Sequence, residues 1–182
     1  TYIEKHIGEG DGEGARKIDP VTEIELDEGA SIILDTLQIG GVDYSNRKTK
    51  AKLASKAKML VRERIMTDKD EQAITDFEVE LNGEDSGVDI ISRSVAKGNS
   101  YQGYSSKIIG RTRCTGHSEC DAILSDNGRV DATPSLTAES KDASLIHEAA
   151  IGKIAGEQII KLCSLGLTEE EAERKIIEGF LK

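Results

Sequence analysis

Turn-forming clusters recur along this sequence at a nearly even step, and that step restricts the possible folds more than any other feature. They fall at Asp27-Glu28-Gly29, Gly41-Val42-Asp43, Ala54-Ser55-Lys56, Asp68-Lys69-Asp70, Gly83-Glu84-Asp85, Lys97-Gly98-Asn99, Gly110-Arg111-Thr112, Asp126-Asn127-Gly128 and Ser140-Lys141-Asp142. The step is about 14 residues. Short β-type runs lie between the turns: Phe77-Glu78-Val79-Glu80-Leu81 alternates apolar and polar, Thr22-Glu23-Ile24-Glu25-Leu26 nearly does, and Val88-Asp89-Ile90 begins another.

Two architectures accept evenly spaced short strands. A sandwich or up-and-down barrel joins them by antiparallel hairpins. A solenoid winds two half-turns into one coil, here about 28 residues. Tight hairpins favour Asn-Gly or Asp-Gly loops, and only Asn82-Gly83 and Asn127-Gly128 qualify. Aromatic core anchors are also scarce, with four Tyr, two Phe and no Trp. The expectation is therefore a mainly β chain, a parallel β-helix wound as a two-sided solenoid. The segment from Thr49 to Arg64 also fits a helical period and is Lys- and Ala-rich. The repeating step assigns it to strand–turn–strand.

From Glu148 the pattern turns helical. Ile151, Ile154, Ala155, Ile159, Leu162 and Cys163 fall on one broad face, and Gly166 suits a C-terminal cap. Thr168 with Glu171 reads as a capping box, followed by Ala172, Ile176 and Phe180. The expected organisation is a flexible N-terminal segment or truncated coil over 1–18, a β-helix core over 19–147 and an αα-hairpin over 148–182. The hairpin reads as a cap on the solenoid end or as a docking surface.

Composition narrows function mainly by exclusion. The formal charge of −10 and the 3% aromatic content oppose phosphate-backbone binding and base stacking, so no nucleic-acid partner is expected. No apolar run approaches a membrane span. The chain carries neither a signal peptide nor an initiator Met, so Thr1 reads as the start of a fragment or processed form. Three cysteines without a disulfide-like spacing point to a reducing, cytoplasmic setting. The glycine-rich stretch Gly8–Gly14 is acidic and lacks a following Lys-Ser/Thr, so it reads as a loop and not as a phosphate cradle.

The residues suited to chemistry gather late in the chain. Cys114, His117 and Cys120 are spaced C-x2-H-x2-C, and thiolate and imidazole are the ligands of zinc, copper and iron–sulfur centres. His147 and Glu148 lie about one coil beyond Cys120, where a solenoid stacks residues at about 4.8 Å. A one-residue slip would turn either side chain to the opposite face. Against ligation stand ordinary alternatives: a buried structural Cys114 or Cys120, a core Cys163 and a solvated His117. A Cys120–His147 hydrolase dyad is formally possible, although no oxyanion hole can be read beside it.

Gly116-His117-Ser118-Glu119-Cys120-Asp121-Ala122-Ile123-Leu124, then His147-Glu148-Ala149-Ala150-Ile151-Gly152-Lys153-Ile154-Ala155-Gly156-Glu157-Gln158, and the closing Gly166-Leu167-Thr168-Glu169-Glu170-Glu171-Ala172 with Ile177-Glu178-Gly179-Phe180, resemble the SufB/SufD family. Those proteins are scaffold subunits of the SUF iron–sulfur cluster assembly system. Phe77–Glu84 and Ser92–Lys97 are similar to it too. The resemblance implies a right-handed parallel β-helix with C-terminal helices. It also implies pairing of two such subunits as a homo- or heterodimer, and docking of the SufC ABC-type ATPase on the helical region. It implies a non-enzymatic scaffold carrying a transient iron–sulfur cluster at Cys120, His147 and Glu148, with Cys114 and His117 as secondary candidates. Ile146 stands where the SufB type has an acid before the histidine, which leaves open a SufD-like interaction module without cluster ligands of its own. A polysaccharide-acting β-helix enzyme is disfavoured by the few aromatics and by the lack of a carboxylate-and-Arg cleft.

Overall fold

The computed structural model describes residues 1–9 and 14–182. The Gly8–Gly14 stretch read above as a loop therefore lies partly outside the described residues. The strands are β1 (Tyr2–His6), β2 (Lys17–Ile18), β3 (Val21–Leu26), β4 (Ser31–Ile39), β5 (Tyr44–Leu53), β6 (Lys58–Thr67), β7 (Gln72–Leu81), β8 (Gly87–Ala96), β9 (Tyr101–Gly110), β10 (Cys114–Leu124), β11 (Arg129–Ala138) and β12 (Ala143–Lys153). Two helices follow, α1 (Gly156–Ser164) and α2 (Glu169–Phe180).

Every strand pairing among the described residues is parallel. One sheet runs β1-β4-β6-β8-β10-β12, and the facing sheet runs β11-β9-β7-β5-β2 with β3 also on β5. Successive half-turns thus alternate between two walls of a β-solenoid, as the even step predicts. Tyr44 pairs with Gln72, 28 residues on, and Lys58 pairs with Gly87, 29 residues on. Thr49–Arg64 is strand, turn and strand, its helical period overridden by ladder pairing on both sides.

The turns stack as regularly as the strands. Lys56 and Asp85 take left-handed backbone at one corner; Lys69, Gly98 and Asp126 do so at the opposite corner. Asn127 donates to Asn99 at 3.1 Å, and the Asn99 and Asn127 amide N–H groups bond the carbonyls of Lys69 and Gly98 one coil back. Gly98 is tightly held, because a Cβ there would lie 2.6 Å from the Lys69 nitrogen.

Inside, the two walls meet in a core that is apolar at one end of the cross-section and polar at the other. Val61, Ile90, Leu53, Val79, Leu81 and Ile108 fill the apolar part. Thr36, Arg47, Glu63, Thr75, Ser92 and Ser106 are also buried. The single aromatic contact among the described residues is Phe77 against Tyr104, with ring centroids 6.3 Å apart.

The helical hairpin starts later than the sequence pattern suggests. Residues 148–153 continue β12, with the ladder to β10 running as far as Leu124 opposite Lys153, and α1 begins at Gly156. Local helix propensity in Glu148-Ala149-Ala150 loses to the hydrogen bonds of the last coil. The capping box is present: Thr168 Oγ1 accepts from the Glu171 amide at 3.2 Å, and Glu171 Oε2 accepts from the Thr168 amide at 2.9 Å. Ile177 and Leu181 of the α2 end pack on Val95, with Met66 and Ile123 beside it.

Candidate functional site

Parity along β10 and β12 decides what the sequence candidates can do. Cys114, Gly116, Ser118, Cys120 and Ala122 alternate as buried positions on β10. On β12, Ala143, Leu145 and His147 are the more buried set, while Ser144, Ile146 and Glu148 are exposed. The register pairs Ser118 with His147, Glu119 with Glu148 and Cys120 with Ala149. The offset is 29 residues. His147 therefore shares the inward face with Cys120, one diagonal step away, about 8 Å between Cα atoms from strand spacing and rise. Glu148 falls on the outer face.

The candidates divide into two groups on opposite sides of the sheet. Inside are Cys114, Cys120 and His147. Cys114 lies three inward positions before Cys120, about 20 Å along the strand, and its sulfur fits against Gly110, where a Cβ would sit 2.9 Å away. Outside are His117 and Glu148. His117 Nδ1 lies 2.8 Å from Asp89 Oδ1, and His117 Nε2 lies 3.9 Å from Glu148 Oε2. No group of three or more His, Cys, Asp or Glu side chains is assembled for a metal ion among the described residues.

The inward group has an unusual setting. Both ring nitrogens of His147 are buried and have no hydrogen-bond partner among the described residues. Buried imidazole nitrogens are normally paired, so this side chain has two unused ligating positions. Its register neighbour Ser118 is occupied elsewhere, bonding Ser106 Oγ at 2.9 Å and Tyr104 Oη at 3.1 Å. Cys120 is 1% exposed. Burial, then the nearby Glu63 carboxylate, then Asp121 push its thiol up to about 12. The free thiol is thus held protonated at neutral pH, and a metal bound there would displace that proton.

Behind Cys120 runs a buried polar row that sequence reading did not find. Glu63, Ser92 and Cys120 are register partners on adjacent strands. Thr75 Oγ1 donates to Glu63 Oε1 at 2.9 Å, and Ser92 Oγ donates to Glu63 Oε2 at 2.8 Å. Burial raises the Glu63 carboxyl above its ordinary value, opposed by Arg47 and by these two hydroxyls. A polar residue at an inward position of an otherwise alternating strand was the available signal: Glu63 follows Val61 and precedes Ile65.

The last coil forms the C-terminal open end of the solenoid. β11 and β12 each pair on one side only. Leu136, Ile146 and Ile151 are 37%, 52% and 41% exposed there. Helix α1 buries none of its residues, and Ile160 and Leu165 around it are 70% and 72% exposed.

Comparison with known proteins gives a consistent picture. The family described as "SUF system FeS cluster assembly, SufBD core domain" matches residues 20–180. An iron–sulfur cluster assembly SufBD family protein of Archaeoglobus fulgidus is 32% identical over 167 residues, 91% of this chain and 45% of that protein. One from Methanocaldococcus jannaschii is 30% identical over 183 residues, 100% of this chain and 57% of its own length. One from Methanothermobacter thermautotrophicus is 41% identical over 103 residues, 56% of this chain and 25% of that protein. The chain thus spans about half the length, or less, of these relatives.

Proposed function

This chain belongs to the SufBD family of the SUF system of iron–sulfur cluster assembly, and from that premise we propose that it is a scaffold on which a cluster is built at Cys120 and His147. The observation that carries the reading is the pair of unpartnered ring nitrogens on His147, one diagonal step from the Cys120 thiol. Iron and sulfide are cargo in this reading, held for a time and passed on. The protein would contribute ligands and shape; it would not act as an enzyme.

Two donors are half of a tetrahedral ligand set. The site lies at the open end of the solenoid, so a second subunit of the same family, identical or not, is the proposed source of the others. The half-paired strands β11 and β12 are the surface for that pairing. Glu148 would join the inward set only through a one-residue register shift of β12, and that shift would carry His147 outward. Cys114 and His117 take no part in this reading.

The exposed apolar residues Ile160 and Leu165 support α1 as the docking surface for the SufC-type ATPase. No helix is long and apolar enough to cross a membrane among the described residues. A cytoplasmic setting is part of the proposal.

A second reading has its own support. The lack of any three-ligand group among the described residues fits a SufD-like interaction module whose partner supplies the cluster ligands. Anaerobic reconstitution with iron and sulfide separates the two, using the chain co-purified with its SUF partners. Cys120→Ser and His147→Ala should each abolish most of the cluster absorbance, while Glu148→Gln should retain it. Unchanged absorbance in Cys120→Ser would overturn the scaffold reading and leave the interaction module.

A further inference from the structure

On the outer face of the first sheet, away from the Cys120 site, three guanidinium groups converge on one concavity. Arg62 and Arg64 are two residues apart on β6, and Arg93 of β8 is the register partner of Arg64. Ile91, the partner of Arg62, completes the square. These four side chains line a concavity of about 320 Å3 together with Asp35 and Lys182. Glu63 also borders it through its backbone, its carboxylate being turned inward to Thr75 and Ser92.

The charge balance here is opposite to that of the molecule. Asp35 pairs with Arg64. Among the described residues neither Arg62 nor Arg93 forms an ion pair or a side-chain hydrogen bond. Asp121 is the register partner of Arg93, but its Oδ1 accepts from the Ala150 amide at 3.2 Å. Arg64 also keeps a buried Nε without a partner. Like charges placed opposite one another on neighbouring strands destabilise a sheet. Asp35 pairs directly with one of the three guanidiniums, and Glu119, the register partner of Ile91, lies within electrostatic reach of Arg93. Among the described residues Arg62 and Arg93 nonetheless keep their hydrogen-bond donors free, in a chain of formal charge −10.

We propose that this concavity is a binding site for a phosphate-bearing small molecule, which the Arg62, Arg64 and Arg93 guanidiniums grip. The planar guanidinium fork matches the oxygen geometry of a phosphate, and three forks around one hollow suit a compact polyanion. Ile91 supplies an apolar floor for the organic part of such a ligand. The proposal does not depend on the cluster-scaffold reading, since no residue is shared with the Cys120–His147 pair.

Calorimetric titration of the intact chain with pyrophosphate, and separately with inorganic phosphate, at low ionic strength tests it. The expected result is saturable binding of one pyrophosphate per chain, weakened roughly tenfold or more by Arg93→Gln and by Arg62→Gln. Lys50→Gln, on the outer face of the other sheet, should leave it unchanged. Arg62 is exposed, so its variant keeps the test valid should Arg93→Gln perturb folding. Absence of saturable binding, or equal weakening by Lys50→Gln, would overturn the proposal.

Discussion

Glu63 and Cys120 occupy the same inward row of the solenoid, separated by one strand, and Ser92 of that strand donates to the Glu63 carboxyl at 2.8 Å. A carboxyl and a thiol thus share one water-poor interior, and the carboxylate disfavours the charged form of the thiol. The lumen behind the candidate cluster site is a hydrogen-bonded polar row set into an aliphatic core.

Removing the carboxyl should therefore cost stability. Glu63→Ala leaves the Thr75 and Ser92 hydroxyls without their acceptor and takes away a neighbour of Arg47. Orphaning a buried polar group costs about 1–3 kcal/mol, and losing a charged partner costs more. The expected destabilisation is about 2–4 kcal/mol by urea denaturation, with an unchanged m-value. A midpoint within error of the parent would show that these bonds contribute nothing.

Cys120 gives a pH dependence of definite sign. In the unfolded chain its thiol ionises near the ordinary value of about 9, and in the folded chain near about 12. The folded state therefore holds a proton that the unfolded state has lost across that window. This contribution to stability is fully present below pH 9 and lost as pH rises towards 12. Cys120→Ala should flatten the fall in melting temperature between pH 9 and 11. In the parent protein iodoacetamide at pH 8 should label the half-buried Cys163 well before Cys120, read by peptide mass spectrometry. Rapid Cys120 labelling would contradict the closed lumen.

How much of this was legible in the sequence depends on which feature is asked for. The coil was readable because turn residues mark each corner, and the corners stack. The position of His147 relative to Cys120 was readable only to within a residue, since register offsets differ between coils: 27 from Ser31 to Lys58, 28 from Tyr44 to Gln72 and 29 from Cys114 to Ala143. That uncertainty is harmless for a fold but decisive for a ligand, because it separates His147 inside from Glu148 outside. The start of α1 was misplaced because Glu148-Ala149-Ala150-Ile151 has helix-compatible composition, and its strand state comes from pairing with β10. Glu63 left one mark in the sequence, a charged residue at an inward position between Val61 and Ile65, but its partners Thr75 and Ser92 and the Arg62–Arg93 cluster come together only once coils are stacked.

The corner at Gly98 should tolerate no side chain. Its φ is +60°, and an added Cβ would lie 2.6 Å from the Lys69 nitrogen of the coil below. Left-handed backbone alone is tolerated at Lys69 and Asp126 of the same corner, so the close approach is the main term. Gly98→Ala should destabilise the chain by about 2 kcal/mol or more, since the strain falls on backbone and not on a movable side-chain end. Lys97→Ala beside it, which loses only a half-exposed ion pair with Glu173, should cost under about 1 kcal/mol. Thermal melts of the two variants at one protein concentration distinguish strain from a general sensitivity of the turn.

The open last coil gives a test of association. Leu136 and Ile151 stand on strands β11 and β12 and are 37% and 41% exposed, at the C-terminal end of the solenoid, where both sheets stop in unpaired edges. A second subunit added there would extend the ladders and bury these side chains together. Leu136→Asp with Ile151→Asp should therefore shift the chain towards monomer in sedimentation velocity. The fold should survive, because neither side chain is in the packed core and each already meets solvent. Ile160→Asp on α1 should leave the subunit pairing as it was and weaken capture of the SufC-type ATPase instead. If the edge pair left the sedimentation profile unchanged while Ile160→Asp produced monomer, the helices rather than the sheet edges would be the subunit interface.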